Sequence, residues 1–329
     1  FYVALTRAKK HVFISYASEE GLGKTNTPLR FIDELDQNHL SNTILEKEKM
    51  ITTRSLESQN NNLEKEKIEY TKRVLLENGL SVTALNHFLK CPSEFFYKSI
   101  LKLPEPPTPS SEKGTAMHEA LSNVWKNLTP SRSARPSPSE FTKIIQTSVT
   151  NYFKHSLLDK FEKESVLEEI FTNAPKVAEA LQEHFAQKGN IATEKWVENY
   201  LKHSYQNEEI ELRLHGKLDT IIETEKEILV FDYKTREAMS INAIKGETKD
   251  EDGNYFRQLI FYKMLLSNSS DPLKVNKNIT PALVFVKPDT KGNCPTITLP
   301  IEESDVERVH CEIKNLIDSV WSGKMFQQN

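Results

Sequence analysis

The chain has 329 residues, of which 37% are hydrophobic and 27% charged, which describes a water-soluble protein with room for one large domain and a smaller one. Its formal net charge of −4 supplies no global basic field, so any grip on phosphates has to come from local patches or bound metal. Three widely spaced cysteines make no disulfide framework, no apolar run approaches a membrane span, and nothing at the N-terminus reads as a signal peptide, which together point to reducing cytoplasm.

The chain opens on Phe1-Tyr2-Val3 without an initiator Met and closes at Asn329 just after a helical pattern, so it reads as a fragment of a longer polypeptide. Residues 1–40 run FYVALTRAKKHVFISYAS, then a Gly/Thr/Asn loop, then PLRFIDEL. His11 to Tyr16 has the apolar density of a buried strand. The string VALTRAKKHVFISY resembles motif VI of UvrD/Rep-type superfamily 1 helicases, and PLRFIDEL resembles the segment after that motif in those helicases. That resemblance implies a remnant of a helicase motor domain. Arg7 would be its arginine finger, a planar cation reaching the γ-phosphate of ATP held by the other motor domain. Gly21-Leu22-Gly23-Lys24-Thr25 does not complete a phosphate-binding loop. The pattern needs a glycine where Ser18 stands, and Pro28 falls where the following helix should run. The segment reads as a flexible loop, and no ATPase is expected from this chain alone.

Residues 41–80 are rich in Glu, Lys, Asn, Gln and Ser and predict a solvated helix or partly disordered linker at a domain boundary. From Ser81, an N-cap residue, the spacing predicts a helix through Leu89. Cys91-Pro92-Ser93-Glu94-Phe95-Phe96-Tyr97 and a Pro-rich loop to Pro109 come next, and Lys113 to Leu121 opens another helix. Residues 137–189 hold several more helical patterns, and Trp196 to Ser204 reads as a strand. Further on, Phe256 to Leu266 is helical, Pro281–Lys287 and Thr296–Pro300 are strands, and Glu302 to Trp321 is a closing helix.

Glu209 to Arg236 carries two apolar runs around the polar joint Thr224–Glu227, the pattern of a β-hairpin. Each run holds an acid that a core strand would not want, Asp219 and Asp232, thirteen residues apart. Lys234 follows Asp232 by two, so both side chains leave the same face of a strand. A divalent cation would offset the cost of gathering these charges.

The order of helix, three-strand meander with acids on two strands, helix and further strand resembles the PD-(D/E)XK nuclease core, and within it the RecB/AddB-type domain. Gly114-Thr115-Ala116-Met117-His118 resembles the Gly-x-x-x-His motif, Asp219 is the first acid, and Asp232-Tyr233-Lys234 forms D-x-K. Gln258 and Tyr262 match the Q-x-x-x-Y element. The resemblance implies an α/β fold, a mixed central sheet flanked by helices, over residues 81–329. Ahead of it would stand a helical N-terminal part, the linker at 41–80 and the motor remnant at 1–40.

The same resemblance implies that Asp219, Asp232, the carbonyl of Tyr233 and His118 hold Mg²⁺ or Mn²⁺, with the imidazole favouring Mn²⁺. Lys234 would orient the attacking water, and Gln258 and Tyr262 would reach the metal edge or a DNA phosphate. The implied partners are DNA, as single strands or ends, and the rest of the helicase motor. A non-cleaving DNA-binding or scaffolding module of a helicase complex is the alternative. Some relatives of this type carry an iron–sulfur cluster, and Cys91 resembles its first ligand. Cys294 and Cys311 match no later one, so no cluster is expected in this chain and Cys91 is expected to be a buried thiol.

Overall fold

The computed structural model describes residues 56–127, 137–267 and 277–327, together with the pairs Glu19–Glu20 and Lys24–Thr25, and it describes side chains from Leu63 onward. Arg7, the strand expected at His11–Tyr16 and the PLRFIDEL segment lie outside the described residues. The chain divides into two compact units, residues 1–62 and 63–329. In the first, Glu19–Glu20 pairs antiparallel with Lys24–Thr25, so the Lys-Thr pair lies on a strand and not at the head of a helix.

Helix α1 (Leu56–Asn78) occupies much of the charged stretch. Of its few apolar residues Leu63 and Leu76 stay exposed, but Val74 and Leu75 enter the main core with Leu80 just beyond. The large domain therefore starts ahead of Ser81. Gly79 ends the helix at a φ of 79°, where a Cβ would lie 2.5 Å from the carbonyl oxygen of Arg213. Ser81 then caps α2 (Val82–Lys90) as its side chain accepts from the amide of Ala84 at 3.2 Å. Cys91, expected to be buried, is exposed. It sits at the joint before Pro92, where the chain leaves α2 for the π-helical turn Phe95–Ile100, and it is the phenylalanines of that turn that enter the core.

Three helices come next: α3 (Pro109–Asn127), α4 (Pro138–Phe153) and α5 (Lys160–Ala180). Capping boxes start the last two, Ser137 with Glu140 and Asp159 with Glu162. The sheet has five strands in sequential order: β1 (Asn190–Tyr205), β2 (Glu208–Glu223), β3 (Glu227–Lys234), β4 (Asn278–Phe285) and β5 (Thr296–Thr298). β3 and β4 are parallel, joined through α6 (Ile241–Lys245) and α7 (Asn254–Ser267), and the other pairs are antiparallel. Helix α8 (Glu303–Ser322) closes the domain. Gln206 and Asn207, both at positive φ, make the β1–β2 turn. β1 begins six residues earlier than its apolar content predicts, because cross-strand pairing to β2 overrides the weak propensity of residues 190–195.

The mixed sheet separates two hydrophobic cores. One holds α2, α7, α8 and the faces of β2 and β3 carrying Leu212, Leu214, Leu218, Ile228 and Val230. The other holds α3, α4, α5 and the opposite faces, carrying Ile222, Phe231 and Tyr233. Among the described residues no helix is long and apolar enough to cross a membrane.

Candidate active site

Residues on β3 alternate between the two cores: Ile228 and Val230 face α7, Phe231 and Tyr233 face α3. Asp232 falls on the α7 side and is only 2% exposed. Its Oδ1 accepts from the Tyr262 hydroxyl at 2.9 Å and from Gln258 Nε2 at 2.9 Å, the two residues standing one turn apart on α7. Gln258 Nε2 also donates to the Tyr262 hydroxyl at 2.7 Å. Lys234 Nζ lies 2.7 Å from Asp232 Oδ2, donates to Gln258 Oε1 at 2.8 Å and sits 4.6 Å above the Tyr255 ring. Burial alone would push Lys234 down, but the charge and hydrogen bond of Asp232 more than offset it and hold the ammonium above its usual range. Asp232 Oδ2 is buried with no directed hydrogen bond besides that ion pair.

From the other side of the sheet, α3 brings His118. Its Nε2 donates to the carbonyl of Tyr233 at 2.8 Å and its Nδ1 lies 3.2 Å from Asp219 Oδ1. The amide of Tyr233 donates to Asp219 Oδ2 at 2.9 Å. Burial opposes a charge on His118, yet Asp219, then Asp232 and the Tyr233 carbonyl, raise it to about 9. Burial and the neighbouring Asp232 raise Asp219, with the His118 hydrogen bond pulling the other way. Both ring N–H groups of an imidazolium thus point into oxygens that sequence reasoning reserves for a cation.

Sequence reasoning missed one member of the cluster. Glu194, on β1, stands opposite Asp219, and ligand atoms of His118, Glu194 and Asp219 all lie within 4.8 Å of one another. Glu194 has a φ of 55° inside a strand and is also paired with Lys217. Around it the sheet changes sides: Thr193 bonds Ser122 of α3, whereas Val197 and Leu201 pack into the α7 core. With three carboxylates, among them Asp232 whose buried Oδ2 meets only Lys234, a backbone carbonyl and an imidazole that becomes a donor once it gives up its proton, the donor set fits a hard divalent cation.

The phenol of Tyr233 anchors the strand from behind. Its hydroxyl accepts from Trp125 Nε1 at 2.9 Å and, more weakly, from Thr220 Oγ1 at 3.5 Å, leaving its proton for His184 Nε2 at 2.9 Å. Burial lowers His184 to about 4, so the imidazole is the neutral acceptor this arrangement needs.

A family described as the PD-(D/E)XK nuclease superfamily matches residues 79–328. The chain belongs to that superfamily. Two solved structures are also similar to it. A protein named SSO0001 is 16% identical with a TM-score of 0.32, covering 79% of this chain and 86% of its own. A "Putative exonuclease" from Eubacterium rectale is 9% identical with a TM-score of 0.42, covering 84% of this chain and 88% of its own. None of the curated proteins matches the sequence significantly. The five-strand mixed sheet flanked by helices is consistent with the fold of that superfamily.

Proposed function

We propose that this PD-(D/E)XK chain is a Mg²⁺- or Mn²⁺-dependent deoxyribonuclease that hydrolyses phosphodiester bonds in single strands or at DNA ends during repair or recombination. One observation carries the reading: the His118–Glu194–Asp219 cluster, with ligand atoms within 4.8 Å, lies in the same site as an Asp232–Lys234 pair held at 2.7 Å. Asp219, Asp232, His118 and the Tyr233 carbonyl would hold the cation, and Glu194 adds a further carboxylate. When bound, such an ion neutralises charge at the phosphate and makes a water more acidic.

The chain's own groups do the rest. Gln258 and Tyr262 fix Asp232 through Oδ1 and so keep Oδ2 turned toward Lys234. Lys234, held between Asp232 and Gln258, positions the attacking water. Tyr262 is buried, so of the two α7 residues it is Gln258 that can reach a DNA phosphate. The resemblance of residues 1–40 to helicase motif VI supports a cytoplasmic parent in which a motor, with Arg7 in its ATP site, feeds unwound strand to this domain.

The test is degradation of labelled single-stranded DNA with Mg²⁺ or Mn²⁺, compared among wild type, Asp232→Ala and Lys234→Ala. Both variants are expected to lose at least 10²-fold in rate. Equal rates in all three would sink the reading. DNA binding retained without any calorimetric Mn²⁺ binding would replace it with a non-cleaving DNA-binding module.

A further inference from the structure

Beyond the carboxylate cluster, the β1–β2 ribbon carries a bare face. Helices α3, α4 and α5 cover the β3 and β4 end of that side of the sheet, as the core around Ile222, Phe231 and Tyr233 records. Further out along the ribbon, Val197 and Leu201 pack toward α7, so the alternating residues Trp196 and Tyr200 face outward. They are 54% and 52% exposed. Isolated surface aromatics are ordinary. This pair differs in three respects.

The first is rigidity. The Trp196 indole lies flat on the His215 imidazole, with centroids 4.6 Å apart and planes at 17°. Behind that imidazole is the Gly79 turn, where a Cβ would come within 3.0 Å of His215 Cδ2. The inner face of the indole is therefore backed and its outer face is open. The second is place. Trp196 follows Glu194 by two residues on the same strand, so it lies about 7 Å along β1 from the cluster, and Tyr200 roughly 13 Å further. The third is charge. Lys217 pairs in register with Trp196, and Arg213 with Tyr200. Glu198 lies between them and binds Arg213 at 3.7 Å, which disfavours a phosphate backbone running over the centre of the strip. What remains attractive there is the flat, uncharged face of a base.

We propose that this ledge binds unpaired nucleobases of the strand whose phosphate enters the carboxylate cluster, Trp196 stacking the nearer base and Tyr200 one further out. The proposal rests on the nuclease reading and deepens it by specifying an unpaired strand, since duplex bases have both faces covered by their neighbours. Lys217 now pairs with Glu194; with Glu194 engaged by a cation, that ammonium turns to the phosphate between cluster and ledge.

The experiment uses the whole chain in EDTA, where cleavage does not interfere. Binding of a fluorescein-labelled oligothymidylate is followed by anisotropy and by quenching of intrinsic tryptophan fluorescence. Of the three tryptophans Trp125 and Trp321 are buried, so quenching reports Trp196. Trp196→Ala is expected to weaken binding about tenfold or more, Trp196→Phe to restore most of it, and Tyr200→Ala to cost less than Trp196→Ala. A blunt duplex of the same length should quench far less. Trp196→Ala and Tyr200→Ala variants that bind within twofold of wild type, equal quenching by duplex, or no binding by wild type would each overturn the ledge. Loss of metal-dependent cleavage in a wild type that still binds and quenches strikes the nuclease reading instead and leaves the ledge standing.

Discussion

Glu194 stands opposite Asp219 at the one step of the β1–β2 ladder between Asn190 and Tyr205 that forms no bridge, and it does so in a left-handed backbone conformation, φ 55°. A side chain other than glycine costs on the order of 1–2 kcal/mol in that region. The strain is what aims a third carboxylate at His118 and Asp219. Glu194→Gly is therefore expected to move two quantities in opposite directions. Calorimetric unfolding of the metal-free chain should rise by about 0.5–1 kcal/mol, while Mn²⁺ affinity by titration calorimetry falls tenfold or more. A glycine variant that binds Mn²⁺ like wild type removes Glu194 from the site.

Tyr233→Phe deletes one oxygen from a buried position. It leaves the Trp125 N–H and His184 Nε2 without their partner, at a cost of about 2–3 kcal/mol measured by urea denaturation. Because the Tyr233 carbonyl and amide belong to the backbone, contacts to His118 and Asp219 persist and Mn²⁺ affinity should change far less than in Glu194→Gly. Unchanged stability would mean that water replaces the phenol.

Stability should depend on pH through His184. Burial holds it at about 4, below the ordinary imidazole range, so the unfolded chain takes up the proton first as pH falls. This contribution is fully present above about pH 6.5 and is lost progressively toward pH 4, up to ~3 kcal/mol. Melting temperatures of wild type and His184→Gln, taken in EDTA from pH 7.5 downward, should converge across that window. Parallel profiles would exclude His184 as the titrating group.

Arg257 is a buried cation one residue before Gln258. Its guanidinium donates to Glu312 of α8 at 2.8 Å, to Asn86 of α2 at 2.8 Å and to the carbonyl of Asp252 at 3.3 Å. Removing the charge leaves the Glu312 carboxylate with Arg308 alone, at 3.5 Å, and takes the partner from Asn86 and the Asp252 carbonyl, so Arg257→Ala should cost about 2–3 kcal/mol. Arg257→Met combined with Glu312→Leu should recover most of that in urea denaturation, because an apolar pair carries no desolvation penalty. A double variant as unstable as the single one would point to the Asn86 and Asp252 contacts as the larger part.

Much of this site could be read from residue types and spacing. Asp232 and Lys234 share a strand face by period two, and Gln258 and Tyr262 share a helix face by i, i+4, so their convergence follows from local geometry. His118 needed only its glycine-spaced motif. Glu194 was invisible because its role depends on register: nothing in Thr193-Glu194-Lys195 marks which residue will face Asp219, and a left-handed Glu has no sequence signal. In α1 the charged majority hid Val74 and Leu75, two apolar residues sufficient to dock the helix. Cys91 was misplaced because, with no cluster expected to hold it, its thiol was taken to be buried, whereas the Pro92 joint leaves it exposed while Phe95 and Phe96 go in.

Asp232 takes its partners from α7 and Asp219 takes His118 from α3, so the two acids answer to helices in different hydrophobic cores. Each core could open as its own cooperative unit, were it not for the strands they share and this carboxylate seam. An ion bound between the acids stabilises only the arrangement in which both layers are closed, and so couples their openings. Amide exchange should then slow in α3–α5 and in α7 together when Mn²⁺ is added. The domain would sense its cation as a single folding unit, assembled at the line where its two halves meet.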